Sequence, residues 1–202
     1  MLVVCVKRLS PILLSQDSFK MNTKKTTDSE TTITELMIPS YANFGGKVHG
    51  GILLSLMDKV AYVTATKHCS SYCVTVAVDG VEFLNPVEVG DLVHLKSSVN
   101  YVGNTSLIVG IRVESLNPKT GIQKHTNSCY FTMAAKDESG NLTKVPGLLI
   151  ETETQLRRFC EGLELKKLSK QKRVMLKSDL NGFTLDQLKG ICETENCEVV
   201  ID

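Results

Sequence analysis

The sequence predicts an α+β domain: one very apolar helix wrapped by a single curved antiparallel sheet, followed by a helical C-terminal extension. Three observations carry that expectation. A glycine-rich loop, Asn43-Phe-Gly-Gly-Lys-Val-His-Gly-Gly51, runs directly into a helical stretch, Ile52 to Lys67, whose apolar residues cover more than half its circumference. Four stretches of period-two alternation follow, separated by short turn signals. From about Glu151 the composition turns basic and the apolar residues fall at helical spacing.

The chain begins with two short apolar runs around Lys7-Arg8. Apolar residues ahead of the charges are the wrong order for a secretory signal, neither run could span a bilayer, and a mitochondrial leader would carry more arginine. Met21 reads as the first functional residue, and the polar stretch Asn22 to Glu30 is expected to be disordered. The expected organisation is an N-terminal extension (1–30), a main domain (31–150) and a basic helical extension (151–202).

Thr32 to Ile38 alternates weakly and predicts a first strand, stopped by Pro39. In the glycine loop, bare backbone can approach a ligand, and Gly50-Gly51 bring it to a helix start, where unpaired N–H groups and the positive dipole end collect. Only Ser55, Lys59, Tyr62 and Thr66 form a polar strip on the helix that follows. Asp58 sits at the border of the apolar arc, two turns in. A carboxylate placed there needs a specific partner or a chemical task. The strands are expected at Cys73–Leu84, Leu92–Val102, Thr105–Leu116 and Ile122–Lys136, with turns at Asn85-Pro86, Gly103-Asn104 and Asn117 to Gly121. A single sheet leaves edges open, so a dimer is expected. Between Gln155 and Lys177 basic residues far outnumber acidic ones, with Leu156, Phe159, Cys160 and Leu163 at helical spacing. That stretch reads as a solvated helix packing one stripe on the domain, the other reading being a basic surface for an acidic ligand. A further short helix is expected within Asp179 to Lys189.

Composition excludes several classes. A formal charge of +1 gives no general attraction to nucleic acid or membrane. With no tryptophan and 5% aromatics, the core must be aliphatic. Seven cysteines, scattered and odd in number, read as reduced thiols in a cytoplasmic protein. No Cys-x-x-Cys pair and no clustered histidines point to a metal, so none is expected. The glycine loop lacks the Lys-Ser/Thr that ends a nucleotide-binding P-loop.

Asn43, Gly46, Gly50, Gly51, Leu53, Leu54, Met57 and Asp58 together resemble the signature of the hotdog-fold acyl-CoA thioesterases, nearest to the YciA type and the brain-type cytosolic acyl-CoA hydrolases. Val74 to Asp91, with its Phe-Leu-Asn-Pro and Val-Gly-Asp, is similar to the segment that follows in that family, and Gly103-Asn-Thr-Ser106 to a third, shorter one. The resemblance covers about residues 30 to 150, and beyond about 160 it finds no counterpart. At His49 these relatives usually carry an apolar aromatic; His-Gly-Gly there is similar to the phenylacetate-type hotdog thioesterases.

The resemblance implies hydrolysis of acyl-CoA to free acid and coenzyme A, without metal or cofactor. Asp58 would be the general base toward water, or would attack directly to form an anhydride. Backbone N–H groups at Gly50 and Gly51 would hold the thioester oxygen, and Asn43 would orient the water or polarise the carbonyl. His49, Gly103, Thr105 and Ser106 are the candidates on the coenzyme A side, with Arg112 and Lys136 behind them; His49 has a structural reading as well. The family also implies that Asn43 and Asp58 of one site come from opposite subunits, in a homo-oligomer built from dimers, as a trimer of dimers. Two alternatives compete. Hydratases of this fold pair the aspartate with a histidine five residues on, where this chain has Val63. For a non-catalytic acyl-CoA-binding regulator the basic helix could serve as a DNA-binding attachment; against it, the extension shows no helix-turn-helix pattern and a regulator need not keep Asp58.

Overall fold

The structure, a computed structural model, describes residues 22–178, 182–192 and 195–201. Strand β1 (Thr23–Lys25) and the short helix α1 (Thr26–Ser29) come first. They are followed by β2 (Thr31–Leu36), the long helix α2 (Gly50–Cys69), β3 (Tyr72–Phe83), β4 (Leu92–Val102), β5 (Ser106–Leu116) and β6 (Gln123–Lys136). Strand β7 (Gly147–Leu149) and helices α3 (Glu153–Ser178) and α4 (Leu185–Cys192) close the chain. The main sheet is five-stranded, antiparallel, and ordered β2-β4-β5-β6-β3, with α2 packed against all five strands. This is the hotdog arrangement.

Helix α2 is what the sheet is built around. Leu53, Leu56, Met57, Val60, Ala61 and Ala65 recur at helical spacing and are buried. They meet the inward-facing residues of the strands: Val93, Leu95 and Val99 of β4, Leu107, Val109 and Val113 of β5, and Phe131 and Met133 of β6, each about 1% exposed or less. Burying a side chain of this size is worth about 1.5–3 kcal/mol, so truncating Met57 to alanine should cost roughly 2–5 kcal/mol. The wrapping is incomplete in the single chain. Leu54 is 37% exposed, and Asp58 and Tyr62, each one turn further on, share its open flank. The helix ends where Ser70 takes the left-handed conformation (φ 52°) and returns its N–H to Thr66 O, 2.8 Å.

Residues 22–30 correct the expectation of disorder. β1 pairs in parallel with β7, Thr23 opposite Gly147 and Lys25 opposite Leu149, and α1 buries Thr26 and Ser29. Several of the polar side chains are consumed locally. Asp28 Oδ2 accepts the Lys25 backbone N–H (3.0 Å), Lys25 Nζ meets Glu151 (2.7 Å), and Lys24 Nζ reaches Ser70 Oγ (2.7 Å) and Lys67 O (3.2 Å) at the negative end of α2. Hydroxyls and charges that suggested solvation serve here as caps and clamps. The stretch before Asn22 lies outside the described residues, as does the start of the helix expected from Asp179; α4 takes up its later part.

The extension packs by one stripe, as its pattern suggested. Phe159 stacks on Tyr101 with ring centroids 5.1 Å apart, and the Lys166 ammonium stands 5.1 Å from the centre of the same ring. Gly162 is required between them, since a Cβ there would lie 2.6 Å from Tyr101 Cβ. α3 thereby covers part of the outer face of the sheet, opposite α2.

Candidate active site

The glycine loop is held open by its own residues. Asn43 Oδ1 accepts the N–H groups of Gly45 (2.9 Å) and Lys47 (3.1 Å), and Gly46 turns the chain at φ +74°. Lys47 is tied to Glu88 at 2.6 Å, and Val48 N–H donates to Val87 O at 2.9 Å. The Asn43 amide nitrogen is left without an acceptor among the described residues. Phe44, at the tip, is fully exposed.

At the start of α2 the two glycines part company. His49 is the N-cap, and its Nδ1 accepts the Gly51 N–H at 2.9 Å, while Ile52 and Leu53 donate to His49 O. The Gly50 N–H therefore stands as the unpaired donor at the positive helix end among the described residues. A side chain at Gly50 would press on the Phe83 ring at 3.2 Å.

Two turns along, Asp58 Oδ1 accepts a hydrogen bond from Thr75 Oγ1 at 2.6 Å. Thr75 lies on β3, the edge strand of the sheet, next to a bulge at Val76 where the pairing with β6 skips a residue. A bulge re-aims the neighbouring side chain, and here it turns the Thr75 hydroxyl onto the helix. The free edge of β3 is apolar: Tyr72, Val76, Val78 and Phe83 are all exposed, and Tyr72 meets Tyr62 of α2 edge-to-face at 6.2 Å. Sequence reasoning missed Thr75. A lone threonine in an alternating strand carries no local signal, and its contact with Asp58 depends on strand placement.

The turn from Gly103 to Ser106 is closed by Gly103 N–H donating to Ser106 O at 2.7 Å, and Thr105 O accepts the Ala135 N–H at 3.1 Å. In register, Thr75, Met133 and Leu107 form one row across β3, β6 and β5, so this turn lies at the Thr75 end of the sheet, two strands away, about 10 Å. The Asn43 loop lies at the other end, beside Phe83 and Val87. Within one chain, then, the structure joins Asp58 to Thr75 and His49 to Gly51, and it leaves Asn43 bonded only to its own loop. Arg112 belongs to the outer face, where Glu114 accepts from Lys96 (2.6 Å) and Arg112 (2.7 Å), and these two cations hold its carboxyl down to about 2. His94 pairs with Thr34 and His125 with Asn127 O and Ser128, as strand-surface residues do. Among the described residues no group of three histidine, cysteine or acidic side chains is placed to hold a metal, the six cysteines are free thiols, and no helix is long and apolar enough to cross a membrane.

The family model described as the thioesterase superfamily matches residues 45–122, a span that takes in the helix start, Asp58 and Thr75. The protein VdlD of Helicobacter pylori is 50% identical over 133 residues, 66% of this chain and 76% of that one. The chain belongs to the thioesterase superfamily. It is a hotdog-fold thioester hydrolase, as its motifs implied. A further relative, the uncharacterized acyl-CoA thioester hydrolase YkhA of Bacillus subtilis, is 32% identical over 129 residues, 64% of this chain and 75% of that one. Among solved structures, an apo-hexameric acyl-CoA thioesterase is 35% identical and superposes with a TM-score of 0.72, covering 77% of this chain and 99% of that chain.

Proposed function

We propose that the chain hydrolyses acyl-CoA thioesters to a carboxylic acid and coenzyme A. The substrate class is that named for the relatives above. The observation that carries the reaction is the Asp58–Thr75 pair on the uncovered flank of α2, a carboxylate fixed by one short hydrogen bond, its second oxygen without a partner among the described residues.

In this reading, Asp58 takes a proton from water as the water oxygen attacks the thioester carbon. The charge that develops on the carbonyl oxygen falls toward the Gly50 N–H of the second copy, the unpaired donor at that helix start, because within one chain Gly50 stands two turns from Asp58. The tetrahedral species collapses, the carbon–sulfur bond breaks, and the coenzyme A thiolate leaves with a proton returned from Asp58. Direct attack by Asp58, giving a mixed anhydride that water then opens, uses the same residues. Neither route calls for a metal or cofactor. Asn43 contributes its free amide N–H groups from the loop of a second copy, and the turn from Gly103 to Ser106 receives the coenzyme A side of the substrate.

The second copy is part of the proposal. A long, apolar, unpaired edge on β3 and a fully exposed Phe44 are surfaces that association would cover. Three such dimers would make the hexamer for which the solved relative is named. Incubating the full chain with acyl-CoA of several chain lengths and titrating released thiol tests the reading. Thiol release abolished in Asp58→Asn supports it; binding of acyl-CoA with no thiol released would overturn it in favour of an acyl-CoA-binding regulator.

A further inference from the structure

On the far side of the sheet from Asp58, the outer faces of β4, β5 and β6, residues 30–32 and the beginning of α3 line a partly open cavity of about 480 Å³. Its walls are polar, and three features show that the backbone is shaped for it. Asn100 sits at a bulge in β4, where the pairing with β5 skips from Val99 to Tyr101. Gly110 stands beside it in mid-strand, and a Cβ there would lie 2.3 Å from the Asn100 amide nitrogen. A glycine inside a strand weakens it and marks a close approach; here it makes room for that carboxamide. Asn100 is 6% exposed yet lines the cavity.

The hydrogen-bonding inventory of the cavity is unbalanced. Its acceptors are mostly spent. Asn100 Oδ1 takes the Ser98 hydroxyl (2.9 Å) and Glu161 takes Arg157, while Glu114, outside the lining, holds Lys96, Arg112 Nε and Gln123. The groups without a partner among the described residues can all donate: Asn100 Nδ2, the Thr32 and Tyr130 hydroxyls, the Arg158 guanidinium and the terminal nitrogens of Arg112. Glu30 at the rim is the exception. Burial raises the Tyr130 pKa, with Glu161 adding to it, so the hydroxyl keeps its proton to donate. Arg157 and Arg158 lie in the second turn of α3, close to its positive end, so the helix dipole does not explain their placement.

We infer that this outer-face cavity binds a phosphate monoester of about nucleotide size, with Arg158, Arg112, Asn100 and Tyr130 donating to the phosphate oxygens. A guanidinium fork suits phosphate geometry, and the volume suits a small ligand. The main sheet separates the cavity from Asp58 of the same chain, so this site is additional to the proposed reaction centre, and only its coenzyme A source rests on the proposed function. Two sources share this chemistry: a free mononucleotide, or the 3′-phosphorylated nucleotide end of a coenzyme A molecule.

The test is isothermal titration calorimetry of the full chain with inorganic phosphate, AMP and adenosine 3′,5′-bisphosphate, on wild type, Arg158→Ala and Gly110→Ala. Binding of at least one probe in the micromolar to low millimolar range, weakened at least tenfold by Arg158→Ala in protein of unchanged oligomeric state, is the expected result. AMP binding as well as the bisphosphate indicates a free mononucleotide; bisphosphate alone indicates the coenzyme A nucleotide. Gly110→Ala should also lose binding by displacing the Asn100 carboxamide; because it could disturb the sheet, Arg158→Ala is the deciding variant. No heat from any probe up to about 5 mM, a range that still detects weak complexes, would overturn the inference. So would affinity unchanged in Arg158→Ala, or affinity lost only together with the assembly.

Discussion

The Thr75 hydroxyl donates to Asp58 Oδ1 at 2.6 Å, bridging the sheet's edge strand and the helix it wraps. In the proposed reaction Thr75 acts through Asp58, as a positioning residue, by holding the carboxylate in one rotamer and leaving its second oxygen for the water. Asp58→Asn keeps the shape and removes the base, so kcat should fall by about 10²–10⁴ with the melting temperature little changed. Thr75→Val should lower kcat by about tenfold to a hundredfold while KM stays within a few-fold, and Thr75→Ser should restore most of it. Steady-state kinetics on the three variants checks this, and near-wild-type kcat in Asp58→Asn would remove Asp58 from the chemistry.

The elements were largely legible in the sequence because periodicity and punctuation agreed. Ile52 to Lys67 carried a 3.6-residue apolar pattern and proved to be the interior of Gly50–Cys69. The turns at Asn85-Pro86, Gly103-Asn104 and Asn117 to Gly121 placed the strands to within a residue or so. What stayed hidden depended on contacts distant in sequence. Thr75 looks like any strand threonine until the bulge at Val76 turns it onto α2. Gly50 and Gly51 look equivalent until the His49 ring accepts from one of them. Asn22 to Glu30 has the composition of a solvated tail, and only its pairing with Gly147–Leu149 and its bonds to the end of α2 give it a place. The bulge at Asn100 has no sequence signature either, because it exists only against Gly110.

The N-terminal packing makes a stability prediction. A chain shortened to begin at Met21 keeps every described contact and should melt where the full chain does. Starting at Thr31 instead removes the β1–β7 pair, the Lys25–Glu151 ion pair and the Lys24 bonds to the end of α2. The expected loss is about 2 kcal/mol, a drop of about 4–8 °C for a chain of this size. Differential scanning calorimetry of the two variants decides, and equal melting temperatures would mean this segment contributes nothing.

His68, in the last turn of α2, is wholly buried, with Nε2 bonded to Pro146 O at 3.1 Å and no partner for Nδ1 among the described residues. Burial lowers its pKa from the ordinary 6.5, so the folded state holds it neutral with Nε2–H donating. Below pH 6.5 the unfolded chain binds a proton that the folded chain refuses. The stabilisation is therefore complete above that pH and is lost as pH falls toward the depressed folded value, with a slope of at most about 1.4 kcal/mol per pH unit. His68→Gln retains an N–H for Pro146 O and should show a flatter melting temperature between about pH 6.5 and 5 than wild type. Parallel slopes in the two proteins would contradict the buried neutral state.

The proposed reaction is complete with water, a carboxylate base and a backbone N–H. Turnover should accordingly survive prolonged dialysis against a strong chelator, followed by assay in chelator-treated buffer. A loss that zinc or magnesium restores would show that the site has been misread.

The shared site makes the sharpest prediction, because it concerns how the residues are distributed between chains. Asn43 spends its carboxamide oxygen on Gly45 and Lys47, in a loop that leads into the start of its own α2 beside Phe83. Asp58 lies two turns further along that helix, about 10 Å at 1.5 Å per residue, and joins Thr75 toward the other end of β3. One loop is poorly placed to bring Asn43 onto its own Asp58, whereas the loop of a two-fold related copy, with Phe44 at its tip, can reach across the uncovered flank of α2. Asn43→Ala and Asp58→Ala homodimers should each be nearly inactive. When the two are co-expressed and pair at random, about half of the dimers are mixed, and each mixed dimer holds one doubly damaged site and one intact site. About a quarter of wild-type activity should then return. If Asn43 and Asp58 served a site within one chain, no dimer in the mixture would contain an intact site, so co-purified protein that stays at the background of the single variants would rule out the shared arrangement.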